Sequence, residues 1–122
     1  MNVLVVDDDV AIRTLVSRLF MRRGDNVESA TDGEAAITCL ENHAFDLVVL
    51  DLMMPRTDGF GVLSYLAGRK DPKPRVIVMT AAVPALVERV PGDVVAGVIA
   101  KPFDLAALLA LVDDAFLPVS LS

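Results

Sequence analysis

Four short apolar runs, each broken off by polar residues, constrain this chain more than any other feature. They are Val5-Val6-Asp7-Asp8, Val49-Leu50-Asp51-Leu52-Met53-Met54-Pro55, Val78-Met79-Thr80-Ala81 and Ala100-Lys101-Pro102-Phe103. Unbroken apolar runs of this length mark strands buried on both faces, as in parallel sheets. Parallel strands all end at one edge, so the polar terminators gather there: three carboxylates, a hydroxyl and an ammonium. That set suits a small oxygen-ligated cation and a phosphoryl group.

The segments between these runs complete an alternating pattern. Strands are predicted at Asn2–Val6, Asn26–Ala30, Asp46–Leu50, Arg75–Met79 and Ala96–Ala100. Helices are predicted at Val10–Arg23, Gly33–His43, Gly59–Lys70, Ala85–Val90 and Leu105–Phe116. In the first helix Ile12, Leu15, Val16, Leu19 and Phe20 form one stripe, with Arg13, Ser17 and Arg22 off it and Gly24 as the stop. Thr31 followed by Glu34 suggests a capping box, and Asp58 and Asp104 are expected N-caps. Crossover helices must cover both faces of a parallel sheet, so the alternation predicts a three-layer α/β fold. In such folds ligands bind at the carboxyl ends of the strands, where the four runs stop.

Length and charge narrow the field. With 122 residues the chain is expected to form a single domain over 1–122. Its mean hydropathy of +0.56 is high. Yet the longest apolar run, Leu105 to Val112, is far short of the ~18 residues of a membrane span. The first strand begins at once, without a basic leader or cleavage site, and Cys39 is the only cysteine, so a cytoplasmic protein is expected. A net charge of −6 argues against direct nucleic-acid binding.

The chemistry follows from Asp7, Asp8 and Asp51. Two carboxylates ~4 Å apart repel by roughly 4 kcal/mol at an effective dielectric near 20. Three together call for a cation, and Mg²⁺ fits an all-oxygen site open to water and phosphate. Asp9 reads instead as a helix start, where the dipole favours negative charge. Asp51, on a ledge before a Pro- and Gly-containing loop, can act as a nucleophile toward phosphorus. Thr80 and Lys101 can contact the phosphoryl group, although alone each reads as an ordinary strand-end threonine and surface lysine. Lys101-Pro102 holds its lysine extended, in either peptide isomer. His43, the sole histidine, reads as a surface residue at a helix end.

These motifs, in this order and near this spacing, resemble the receiver domain of bacterial two-component response regulators over essentially the whole chain. Asp58-Gly59 belongs to the same set. The resemblance implies a flavodoxin-like (βα)5 fold with sheet order 2-1-3-4-5. It implies Asp51 as phosphoacceptor, Mg²⁺ on Asp8, Asp51 and the Met53 carbonyl with Asp7 acting largely through water, and Thr80 and Lys101 on the phosphoryl group. The donor would be a phosphohistidine of a sensor histidine kinase or phosphotransfer protein. The chain would be a signalling module that catalyses only its own phosphorylation and dephosphorylation.

Two departures from the family pattern stand out. The segment Gly97-Val98-Ile99-Ala100-Lys101 has valine where the family carries an aromatic ring. The fourth helix is confined between Pro84 and Pro91-Gly92. Switching is therefore expected mainly in Ala81–Gly92. The last helix should face inward through Leu105, Leu108, Leu109, Val112 and Phe116, leaving Ala107, Ala110 and Leu111 for a homodimer or downstream protein on the face of the fourth helix, fifth strand and fifth helix. Two rivals remain: a haloacid-dehalogenase-type phosphatase using Asp7 and Asp9, and a receiver-like domain that is never phosphorylated.

Overall fold

Five parallel strands form one sheet in the order β2-β1-β3-β4-β5. They are β1 (Asn2–Val6), β2 (Asn26–Ala30), β3 (Leu47–Asp51), β4 (Arg75–Thr80) and β5 (Val95–Ala100). Helices α1 (Val10–Arg22), α2 (Gly33–Asn42), α3 (Gly59–Ala67) and a C-terminal helix (Leu105–Ala115) pack on the two faces. The computed structural model describes residues 1–54, 58–70, 73–81 and 94–117. The expected helix Ala85–Val90 and its flanking prolines lie outside these residues.

Period-two alternation divides the core. Leu4, Val6, Val48, Leu50, Val76 and Val78 point to the face covered by α2 and α3, where Ala36, Leu40, Leu63 and Leu66 meet them. Val3, Val5, Leu47, Val49, Ile77 and Met79 point to α1 and the C-terminal helix, against Val16, Phe20, Leu108 and Val112. Each such side chain contributes about 1.5–3 kcal/mol when fully buried. Three layers follow directly.

Strand and helix ends move by one to three residues from expectation. β3 extends to Asp51 because Asp51 still pairs in register with Met79, and β4 extends to Thr80, opposite Ala100. α1 stops at Arg22, and Gly24 takes a φ of 92° that favours glycine. α3 ends at Ala67, where Gly68 caps it. The cap of α2 is Asp32, whose carboxylate accepts from the Ala35 N–H at 2.8 Å. The expected Thr31 box is therefore absent, since aspartate one residue later reaches the free donors. Asp58 and Asp104 cap as expected, accepting from Gly61 and Ala107.

Two helical stripes also rotate. Leu15 is 51% exposed, while Ser17 is buried beside Val16. In the C-terminal helix Leu111 packs inward, its Cδ2 3.3 Å from where a Gly97 side chain would begin. Leu111 shares a helical stripe with Leu108, Val112 and Ala115, and Gly97 leaves room for it. It therefore lends no support to a partner surface.

The pole at the amino ends of the strands has its own logic. α2, α3 and the C-terminal helix carry no basic residue in their last turns. Cations from elsewhere supply the charge: Arg69 donates to the Leu40 carbonyl, Lys73 to Ala67 and Arg75 to Ala115. Each meets the negative end of a helix dipole.

Candidate functional site

Asp7, Asp8, Asp51, Thr80 and Lys101 all stand at the carboxyl ends of the strands. Asp7 follows β1, Asp51 and Thr80 end β3 and β4, and Lys101 follows β5. One carboxylate oxygen from each of Asp7, Asp8 and Asp51 lies within 4.8 Å of the others. Asp7 and Thr80 are fully buried, Asp51 is 4% exposed, and Asp8 is exposed. The cluster thus has a dry floor and one open side.

Each acid is held differently. Asp7 Oδ1 accepts from the Asp9 N–H at 2.9 Å and its Oδ2 from Lys101 Nζ at 2.8 Å. Asp51 Oδ1 accepts from the Met53 N–H at 3.1 Å, and its Oδ2 lies 3.3 Å from Lys101 Nζ. The Lys101 backbone N–H bonds the Thr80 carbonyl at 2.9 Å, and the Lys101-Pro102 peptide is cis.

Electrostatics matches this geometry. Burial pushes the Asp51 pKa above its ordinary 3.8, and the Asp7 charge adds to the shift, while the Met53 N–H and Lys101 oppose it. For Lys101, burial alone would lower the pKa, but hydrogen bonding and charge from Asp7 and Asp51 raise it above 10.5. Among the described residues, one ammonium stands against three carboxylates, two charges short of neutrality. All-carboxylate donors with an open side fit a hard divalent cation, which Asp7, Asp8 and Asp51 would hold.

Two neighbouring residues have roles the sequence did not reveal. Arg13 Nη1 donates to the Asp7 carbonyl at 2.9 Å, pinning the acidic turn to α1. At Gly59 a Cβ would fall 2.5 Å from Leu52 Cα and 2.6 Å from the Asp51 carbonyl oxygen. Only glycine lets α3 approach the β3 end so closely, and no spacing rule announces that contact. Met53 lies beside Asp51 with its side chain exposed. His43 is exposed, and its Nδ1 lies 3.1 Å from Glu28 Oε2.

Asp9 decides against the phosphatase reading. Its carboxylate accepts from the Ala11 and Ile12 N–H groups at the α1 terminus. It is spent as a cap, while Asp51 completes the acid cluster.

The sequence matches the response regulator receiver domain over residues 3–113. The chain belongs to that family. Response regulator MprA of Mycobacterium sp. (strain KMS) is 43% identical over 112 residues, covering 89% of this chain and 47% of the relative. MprA of Mycobacterium tuberculosis (strain ATCC 25177 / H37Ra) is 42% identical over the same span. The chain therefore spans about half the length of the curated relatives it matches. Among solved structures, one from a CheX-CheY-BeF3-Mg complex of Borrelia burgdorferi superposes with a TM-score of 0.87 at 34% identity, over 97% of this chain and 90% of that one. TrrA of Thermotoga maritima, in complex with Mg²⁺ and BeF, gives 0.83 at 26% identity, over 94% and 98%. The receiver fold of these neighbours is the flavodoxin-like sheet order seen here. Among the described residues no helix is long and apolar enough to cross a membrane.

Proposed function

We propose that this receiver domain takes a phosphoryl group onto Asp51 from the phosphohistidine of a sensor histidine kinase or a phosphotransfer protein. The observation that carries this reading is Asp51 ending the central strand inside a carboxylate cluster that also holds Lys101. An Asp51 carboxylate oxygen forms the new bond to phosphorus. The phosphorus–nitrogen bond breaks, and its electron pair leaves with the imidazole, which takes up a proton.

Mg²⁺ held by Asp7, Asp8, Asp51 and the Met53 carbonyl would offset negative charge on the phosphoryl oxygens. The Borrelia and Thermotoga neighbours, described as magnesium complexes, support that choice of ion. Lys101 moves its ammonium from Asp7 toward a phosphoryl oxygen, and Thr80 donates its hydroxyl to another. Asp51 lies low in the cluster, so a donor must bring its phosphorus in through the open side beside Asp8. The same residues would admit the water that later hydrolyses the acyl phosphate. A downstream protein or a second copy would meet β5 and the C-terminal helix, where Ala106, Ala107 and Ala110 are exposed.

Phosphoramidate with Mg²⁺ should add one phosphoryl group per chain, seen as a mass increase. Absence of uptake with a full range of small phosphodonors would favour a domain that is never phosphorylated.

A further inference from the structure

A second set of convergent polar groups lies in the groove between α1 and the edge strand β2. The groove has a volume of about 270 Å³, and Arg13 and Arg18 are among its lining residues. Among the described residues neither has a carboxylate within 4.0 Å. Among the described residues Glu28 is the one acid that lines the groove; it lies 3.1 Å from His43 Nδ1, a pair that is ionic only when the imidazole is protonated. Thr14, Ser17 and Ser29 line it as well. Ser17 is only 8% exposed, and its Oγ is buried with no hydrogen-bond partner among the described residues. Met21 and Val27 give the groove an apolar side.

We propose that this groove binds a small organic oxyanion, a carboxylate or a phosphate monoester. Its charged end would lie on Arg13 and Arg18, whose planar forks match both oxyanions. Its hydrocarbon would lie on Met21 and Val27. The space exceeds that of a bare inorganic ion. The site also touches the acid cluster indirectly, because Arg13 is the residue that holds the Asp7 carbonyl. A ligand drawing on that guanidinium is felt at Asp7, and by linkage the cluster's occupancy is felt in the groove. None of this depends on Asp51 being the phosphoacceptor.

The test uses the whole chain without metal or phosphodonor, so its failure is separate from any failure at Asp51. Amide spectra are recorded while phenyl phosphate or benzoate is added, against sodium chloride at equal ionic strength. The expected result is saturable movement of the Ser17, Val27, Ser29 and Asp8 amides, the last reporting the Asp7 carbonyl. Arg18→Gln, at an exposed position, should weaken binding roughly tenfold through loss of a charge-assisted pair. Response to phenyl phosphate alone assigns a phosphate ester, and response to benzoate alone assigns a carboxylate. No movement beyond the chloride control, or equal affinity in Arg18→Gln, overturns the proposal.

Discussion

Lys101 Nζ lies 2.8 Å from Asp7 Oδ2, joining residues 94 apart in sequence across the strand ends. The ammonium thereby stands where a metal's charge is needed. By occupying an Asp7 oxygen, the ammonium becomes a competitor for any cation that this carboxylate would hold.

Lys101→Met should therefore lower the melting temperature of the metal-free protein, because removing one partner of a buried pair costs roughly 3 kcal/mol. It should also tighten Mg²⁺ binding, since a competing cation is gone. Calorimetric titration checks this. Unchanged Mg²⁺ affinity would show that the ammonium and the metal do not compete.

Asp8 is the exposed member of the cluster and makes no ion pair with Lys101 among the described contacts. Mg²⁺ should raise the wild-type melting temperature by binding only the folded state. The increment should largely vanish in Asp8→Asn. Equal increments in both proteins would remove Asp8 from the metal site.

The raised Asp51 pKa carries a sign. Folded Asp51 holds its proton more tightly than unfolded Asp51, so its ionised form costs stability above its folded pKa. The cost fades as pH falls through that value toward 3.8. Asp51→Asn should accordingly stabilise the metal-free protein at neutral pH and lose its advantage on acidification. Lys101 works oppositely: its contribution is complete below 10.5 and is lost as pH rises through its higher folded value. Thermal melts across pH measure both, and a variant less stable than wild type at neutral pH would refute the burial argument.

Gly59→Ala should destabilise the fold by roughly 2–3 kcal/mol, since backbone rather than a flexible side chain opposes the new methyl. Because the clash includes the Asp51 carbonyl, phosphoryl uptake should fall as well. A stable variant with normal uptake would mean that α3 can shift without disturbing Asp51.

Much of this architecture was legible in sequence because strand burial and strand termination are local signals. Leu47-Val48-Val49-Leu50 could only be a buried strand, and the residue that ended it had to stand at the sheet edge. What could not be read depends on the third dimension. Nothing in the order of residues says that Arg13 reaches the Asp7 carbonyl, or that Leu111 settles into the space left by Gly97. Asp32 and Thr31 are both good caps, and only the path of the chain chooses between them. The expected shift of switching into Ala81–Gly92 falls mostly outside the described residues. Val98, partly buried against the α2–α3 side of the core, remains the residue on which it rests.

The central claim is that Asp51 is the residue that becomes phosphorylated. The most direct measurement treats the protein with acetyl phosphate and Mg²⁺, converts the acyl phosphate to a hydroxamate with hydroxylamine, and maps the modified peptide by mass. The account predicts the modification on Asp51 and none in Asp51→Asn. Modification on Asp7, or full labelling of Asp51→Asn, would contradict it.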